Sequence, residues 1–148
     1  MDEIAARSSF EDALSTHAPG FGTFFLARLL RLDITYPGNT CLVRFPVADF
    51  LFNPQGTLHG GIIATVLDIS MGHLLKHHYG MSGSTLEMKT QFLGSIRSHA
   101  AWCEARFLRR GKSIAFLESR MFDHQDELSV VASSTWKVNR PEQPGSAS

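Results

Sequence analysis

The sequence predicts an α+β fold, with one long central helix and a mainly antiparallel sheet of about six strands wrapped around it. Three observations carry that expectation. Residues 60 to about 77 have helical length, no internal proline and apolar side chains around nearly the whole circumference, the pattern of a helix buried on most sides. After residue 84, four segments alternate apolar and polar residues. A shorter hairpin precedes the helix, so the order is hairpin, helix, four strands joined by short turns.

From the N-terminus, residues 1 to about 17 read as a helix with Ser8 or Ser9 as its cap and Phe10, Ala13 and Leu14 as a thin apolar face. Pro19-Gly20-Phe21-Gly22 breaks it. Phe24 to Ile34 reads as a helical turn that becomes a strand near Leu30. Tyr36-Pro37-Gly38-Asn39 is a turn, and Thr40 to Val47 a strand with Cys41, Val43 and Phe45 on one face. Asn53-Pro54-Gln55-Gly56 turns the chain toward His59-Gly60-Gly61 and the long helix, and Gly80 to Gly83 forms the loop after it. Thr85 to Leu93 alternates Leu86, Met88, Thr90 and Phe92 against Glu87, Lys89 and Gln91. Ala100 to Leu108, Ile114 to Phe122 and Leu128 to Val138 follow, joined by a basic turn at Arg109-Arg110-Gly111-Lys112 and an acidic one at Asp123 to Asp126. The expected organisation is a helix and lead-in at 1–27, one domain at 28–138, and a disordered tail at 139–148, where apolar side chains are lacking.

The chain has 148 residues, enough for one domain with a real core. Lys+Arg and Asp+Glu each number 14, so no global field draws nucleic acid or an anionic membrane. No apolar run approaches the roughly 20 residues of a spanning helix, and the early acids Asp2 and Glu3 do not fit a signal peptide. Cys41 and Cys103 lie far apart without CxxC spacing and read as free thiols, so a reducing, cytoplasmic location is expected.

The chemistry concentrates at residues 53–78. Asp68 is the only carboxylate between Asp49 and Glu87, set among Ile62, Ile63, Val66, Leu67, Ile69 and Met71. Such an acid is costly to bury without partners. A purely structural acid bonded to backbone or a nearby Thr is the plainer alternative. The first N–H groups of a helix lack intrahelical partners and sit at the positive end of its dipole, and glycine lets a ligand approach them. Gly60, with Gly61 as a second candidate, therefore suits a developing oxyanion. Taken alone, His59-Gly60-Gly61 is a loop end with a capping role and Asn53 a turn residue. His73 and His77 stand at i, i+4, but the Glu of HExxH and any accompanying Cys or acid cluster are missing, so no metal is expected. Neither cysteine has a nearby His, and there is no GxSxG elbow.

The element order and the spacing Asn53-x5-His59-Gly60-Gly61-x6-Asp68 resemble the hotdog-fold acyl-CoA thioesterases, in particular the phenylacetate-pathway-type and 4-hydroxybenzoyl-CoA-type branch. The likeness covers about residues 28–138 and includes Thr85-Leu86-Glu87-Met88 and the basic turn. It implies hydrolysis of a small-molecule acyl-CoA without metal or cofactor, CoA being part of the substrate. It implies an oxyanion donor at Gly60, orientation of substrate or water by His59 and Asn53, Asp68 as base or nucleophile, and Thr85 bonded near it. The turn residues Arg109, Arg110 and Lys112 would meet CoA phosphates, or form a solvated hairpin tip. It also implies a homodimer or a dimer of dimers.

Helix geometry adds an independent expectation. Gly60 and Asp68 are eight residues apart, about 12 Å along one helix, too far to act on one reacting group. Two antiparallel helices from two chains would bring one Gly60 to the other Asp68. The alternative function is a non-catalytic acyl-CoA-binding or regulatory hotdog protein, and a dehydratase or hydratase ranks behind both. The acyl group, and CoA against an acyl-carrier protein, stay open at this level.

Overall fold

The computed structural model describes residues 1–139, so the expected tail lies, but for Asn139, outside the described residues. Three α-helices, α1 (Glu3–Thr16), α2 (Phe25–Leu29) and α3 (Gly60–Tyr79), accompany six strands: β1 (Asp33–Thr35), β2 (Cys41–Pro46), β3 (Gly83–Phe92), β4 (Ala100–Arg110), β5 (Ile114–Asp123) and β6 (Leu128–Val138). Every strand pair is antiparallel and the order is β1-β2-β4-β5-β6-β3. The sheet wraps α3 in the hotdog arrangement expected from the sequence.

The core forms where the apolar side of α3 meets the inward positions of the strands. Val66, Leu67, Met71, Leu74 and Leu75 of α3 are buried against Val43, Cys103, Leu117, Met121 and Val130. Each large side chain of this set contributes about 1.5–3 kcal/mol by leaving water. Gly80 caps α3 at φ +69°, a left-handed conformation that glycine adopts without a Cβ penalty. The helix is not covered all round. Gly61, Thr65 and Asp68, spaced to share one face, keep part of their surface exposed.

Three sequence expectations change. The cap of α1 is Asp2, not Ser8 or Ser9: its carboxylate accepts from Ala5 N at 3.0 Å, and Ser9 is buried within the helix. Next, the last four strands are not all joined by short turns. β3 pairs with β6 at the sheet edge, and residues 93–99 cross back past the start of α3, where the Ile96 carbonyl accepts from Leu58 N at 2.9 Å. Lastly, β3 does not alternate as read. Thr85 faces Trp136 and Glu87 faces Thr135, so Leu86 is the extra residue of a bulge. Partners across a ladder share a face, and Trp136, Ser134 and Ala132 are buried. Thr85, Met88 and Thr90 therefore point inward, and Leu86 does not belong to the Met88 face.

Candidate active site

At the start of α3 the loop Asn53–Gly56 is held from several directions. Asn53 Oδ1 accepts from the Gln55 and Thr57 amides at 3.0 and 3.2 Å, and its Nδ2 donates to Thr57 Oγ1 at 2.8 Å. Leu51 O accepts from His59 N at 3.0 Å, so the chain enters the helix clamped between residues 51 and 96. Asn53 thus spends its side chain building the loop that aims the helix.

His59 is the N-cap of α3. Its Nδ1 accepts from Gly61 N at 2.9 Å, which leaves Nε2 as the ring's donor. The His59 carbonyl accepts from Ile62 N and Ile63 N at 2.9 and 3.1 Å. Of the first four amides of the helix, Gly60 N–H alone has no partner among the described residues. Gly61, the second oxyanion candidate, is already engaged. Both glycines are closely approached: a Cβ at Gly60 would lie 3.3 Å from the Phe92 ring, and one at Gly61 would lie 3.1 Å from His59 Nδ1.

Two turns further along, Asp68 Oδ1 accepts a short bond of 2.7 Å from Thr85 Oγ1. The bulge at Leu86 turns Thr85 inward and so makes this contact possible. Asp68 stands beside a cavity of about 450 Å³, walled by Phe21, Phe24, Ile69, His73 and Trp136. Gly72 lets the Trp136 ring approach α3, since a Cβ there would lie 3.1 Å from it. His59 and Gly61 border a different cavity, of about 430 Å³, with Phe50, Phe52, Ile62 and Thr65. The structure joins Asp68 to Thr85 and His59 to Gly60 and Gly61, and keeps the two groups apart within one chain.

Arg109, Arg110 and Lys112 lie beyond the C-terminal end of α3. Arg110 Nη1 reaches His78 Nδ1 at 3.5 Å, and Tyr79 OH donates to Gly111 O at 2.8 Å. Burial first, then the Arg110 charge and His77, hold His78 below the ordinary histidine value. Both ring nitrogens of His73 are engaged: Nε2–H donates to Phe21 O at 2.7 Å and Nδ1 accepts from Tyr36 OH at 2.7 Å. Only 4% exposed, His73 is held below the usual value by burial, with the Phe21 carbonyl opposing that shift and Lys76 adding to it. Among the described residues no three His, Cys, Asp or Glu side chains gather to hold a metal. Burial raises the thiol of Cys103 to about 11; burial and its neighbour Cys103 raise that of Cys41 to about 12, away from the range of an activated thiolate. No helix among the described residues is long and apolar enough to cross a membrane.

Sequence reasoning missed the wall of the Asp68 cavity: Phe21 and Phe24 from the lead-in, His73 from α3 and Trp136 from β6. They are scattered through the chain, and only Gly20-Phe21-Gly22 and the His73/His77 pair carried any local signal, each of which pointed elsewhere.

Comparison with known proteins gives a consistent picture. A Saccharolobus solfataricus protein provisionally named as an esterase, SSO2140, is 29% identical over 100 residues, which are 67% of this chain and 71% of that protein. The Bacillus halodurans protein BH2602, solved with CoA, superposes with a TM-score of 0.85 at 24% identity over 95% of both chains. The Escherichia coli PaaI protein from the phenylacetic acid degradation operon superposes with a TM-score of 0.76 at 14% identity, over 92% of this chain and 96% of that one. The profile of the Thioesterase superfamily matches residues 55–130, from the loop before α3 through the first strand positions of β6. The chain therefore belongs to the Thioesterase superfamily.

Proposed function

We propose that the protein hydrolyses acyl-CoA thioesters to the free acid and CoA, at sites completed by a second copy of the chain. The observation that carries this reading is the division of the chemistry on α3. The free amide of Gly60 lies between His59 and Gly61, which border one cavity, and the Thr85-held carboxylate of Asp68 borders another, about 12 Å further along the helix. Gly60 of one copy and Asp68 of the other serve one substrate. The edge position of β3, with Leu86 and Phe92 both 54% exposed, supports a covering copy on that side.

In this mechanism the thioester oxygen docks on Gly60 N–H, where the helix dipole favours the charge that develops. Asp68 either draws a proton from water as it adds to the carbonyl carbon, or adds itself and forms an anhydride that water then opens. In both routes the C–S bond breaks and CoA leaves as the thiol. Thr85 orients the carboxylate, His59 occupies Gly61 N–H and leaves Gly60 as the donor, and Asn53 sets the loop. Arg109, Arg110 and Lys112 meet CoA phosphates as a local positive cluster. The CoA bound to the BH2602 protein on the same fold supports that choice of carrier.

Free-thiol release from a panel of acyl-CoAs, with Asp68→Asn as control, tests the activity. Tight binding without turnover in the wild type would sink hydrolysis. Mixing Asp68→Ala with Asn53→Ala chains tests the composite site: activity should partly return, and no rescue under demonstrated subunit exchange counts against it.

A further inference from the structure

The cavity beside Asp68 reaches Phe21 and His73, and the same two residues also line a second cavity. The first measures about 450 Å³ and is walled by apolar and aromatic groups. The second, about 460 Å³, is lined by Tyr36, Lys76 and His77 as well as by Phe21 and His73. Only Phe21 and His73 border both.

We propose that Phe21 is the partition that sets how long an acyl group the Asp68 cavity accepts, and that His73 is the positioning residue that holds Phe21 there. This rests on reading the Asp68 cavity as the acyl side of the site.

Phe21 sits in the loop between α1 and α2, which bonds mainly to itself: Thr23 N and Phe24 N both donate to Gly20 O, and Ala18 N donates to Thr23 O. Among the described residues its one hydrogen bond to α3 is His73 Nε2–H to Phe21 O at 2.7 Å. The Phe21 and His73 rings lie 5.0 Å apart, and the Lys76 ammonium stands 5.0 Å from the Phe21 ring centre. Tyr36 OH, donating to His73 Nδ1, fixes the ring so that Nε2 keeps its proton toward the loop. A chain of three residues from β1–β2, α3 and the lead-in therefore holds one ring between two cavities. An acyl chain entering past Asp68 stops at that ring. The substrates favoured are compact acyl groups, and a long unbranched chain meets Phe21 before it is fully buried. Without the ring the two spaces join, and the methylenes of a longer chain leave water.

The test is the ratio of kcat/KM for dodecanoyl-CoA to that for butanoyl-CoA, followed by thiol release. Phe21→Ala should raise the ratio about tenfold or more, because each extra buried methylene counts in the transition state as well as in binding. Phe21→Trp should lower it. Phe21 is 38% exposed, so its removal leaves the fold intact by circular dichroism. His73→Leu should raise the ratio as Phe21→Ala does. His73→Gln, whose amide can both donate to Phe21 O and accept from Tyr36 OH, should restore it toward wild type. A Phe21→Ala ratio within about twofold of wild type overturns the partition, as twofold is less than one methylene is worth. Equal ratios in His73→Leu and His73→Gln overturn the role of His73. Should the wild type hydrolyse no acyl-CoA, the ratio is read from equilibrium binding of the same two acyl-CoAs. A ratio that shifts with no turnover removes the hydrolytic reading and keeps the partition, whereas absence of both turnover and binding removes both.

Discussion

Thr85→Val removes one oxygen and little else. The side chain keeps its branched shape, so its place in β3 is unaffected. What goes is the 2.7 Å bond to Asp68 Oδ1. A hydrogen bond to a charged acceptor is worth about 1.5–3 kcal/mol when sheltered, and Thr85 is exposed in the single chain, so water replaces much of it. A net loss of about 1–1.4 kcal/mol in holding the carboxylate converts to roughly five- to tenfold in turnover. The assay is thiol release under saturating acyl-CoA, run as a double-mutant cycle with Asp68→Asn. If Thr85 acts through Asp68, the double variant is as slow as Asp68→Asn alone. Losses that multiply would show that Thr85 meets the substrate itself, and unchanged turnover in Thr85→Val would refute its orienting role.

Gly60→Ala should fold with a melting point within a few degrees of wild type, because Phe92 is over half exposed and can retreat the few tenths of an ångström a methyl needs, while helix propensity improves. Its turnover should fall about a hundredfold by crowding the one free amide; near-normal kcat would remove Gly60 from the reaction. Gly111→Ala places a Cβ 2.2 Å from the Ile114 carbonyl oxygen, so the β4–β5 turn must reform at a cost of about 1–3 kcal/mol, read by urea unfolding. Stability should also depend on pH through His73. Its folded-state value is lowered, so the folded chain binds fewer protons than the unfolded one. The stabilisation is complete above the ordinary histidine value and is lost as pH falls from there through the folded value. Urea unfolding across that window should show a shallower slope in His73→Gln, with His78, shifted the same way, common to both proteins.

The architecture was legible because the apolar positions of α3 and the alternation of β4 to β6 report burial directly. Asp68 was legible because an isolated carboxylate stands out in such a helix. Two features were hidden. The edge placement of β3 depends on which strands meet across space, which periodicity cannot encode. The bulge at Leu86 adds one residue inside an otherwise regular pattern, so a strict alternation reads straight through it. The Phe21 partition was hidden for a different reason. Its members, Phe21, Tyr36 and His73, lie in three elements and meet only once the lead-in has folded over α3.

The bulge also makes β3 a ruler with a break in its markings. Residues on one side of Leu86 count odd to face inward, and those on the other side count even. Deleting Leu86 would reunite the two scales. Met88 and Thr90 would keep their partners on β6, and Thr85 would stay opposite Trp136, now joined directly to Glu87 opposite Thr135. Thr85 itself would remain the donor, so the bond to Asp68 would survive such a deletion. A single deletion would leave the chemistry's donor in place while changing the shape beside it. In this strand, length and identity are separable variables, and a change in one can be read out without disturbing the other.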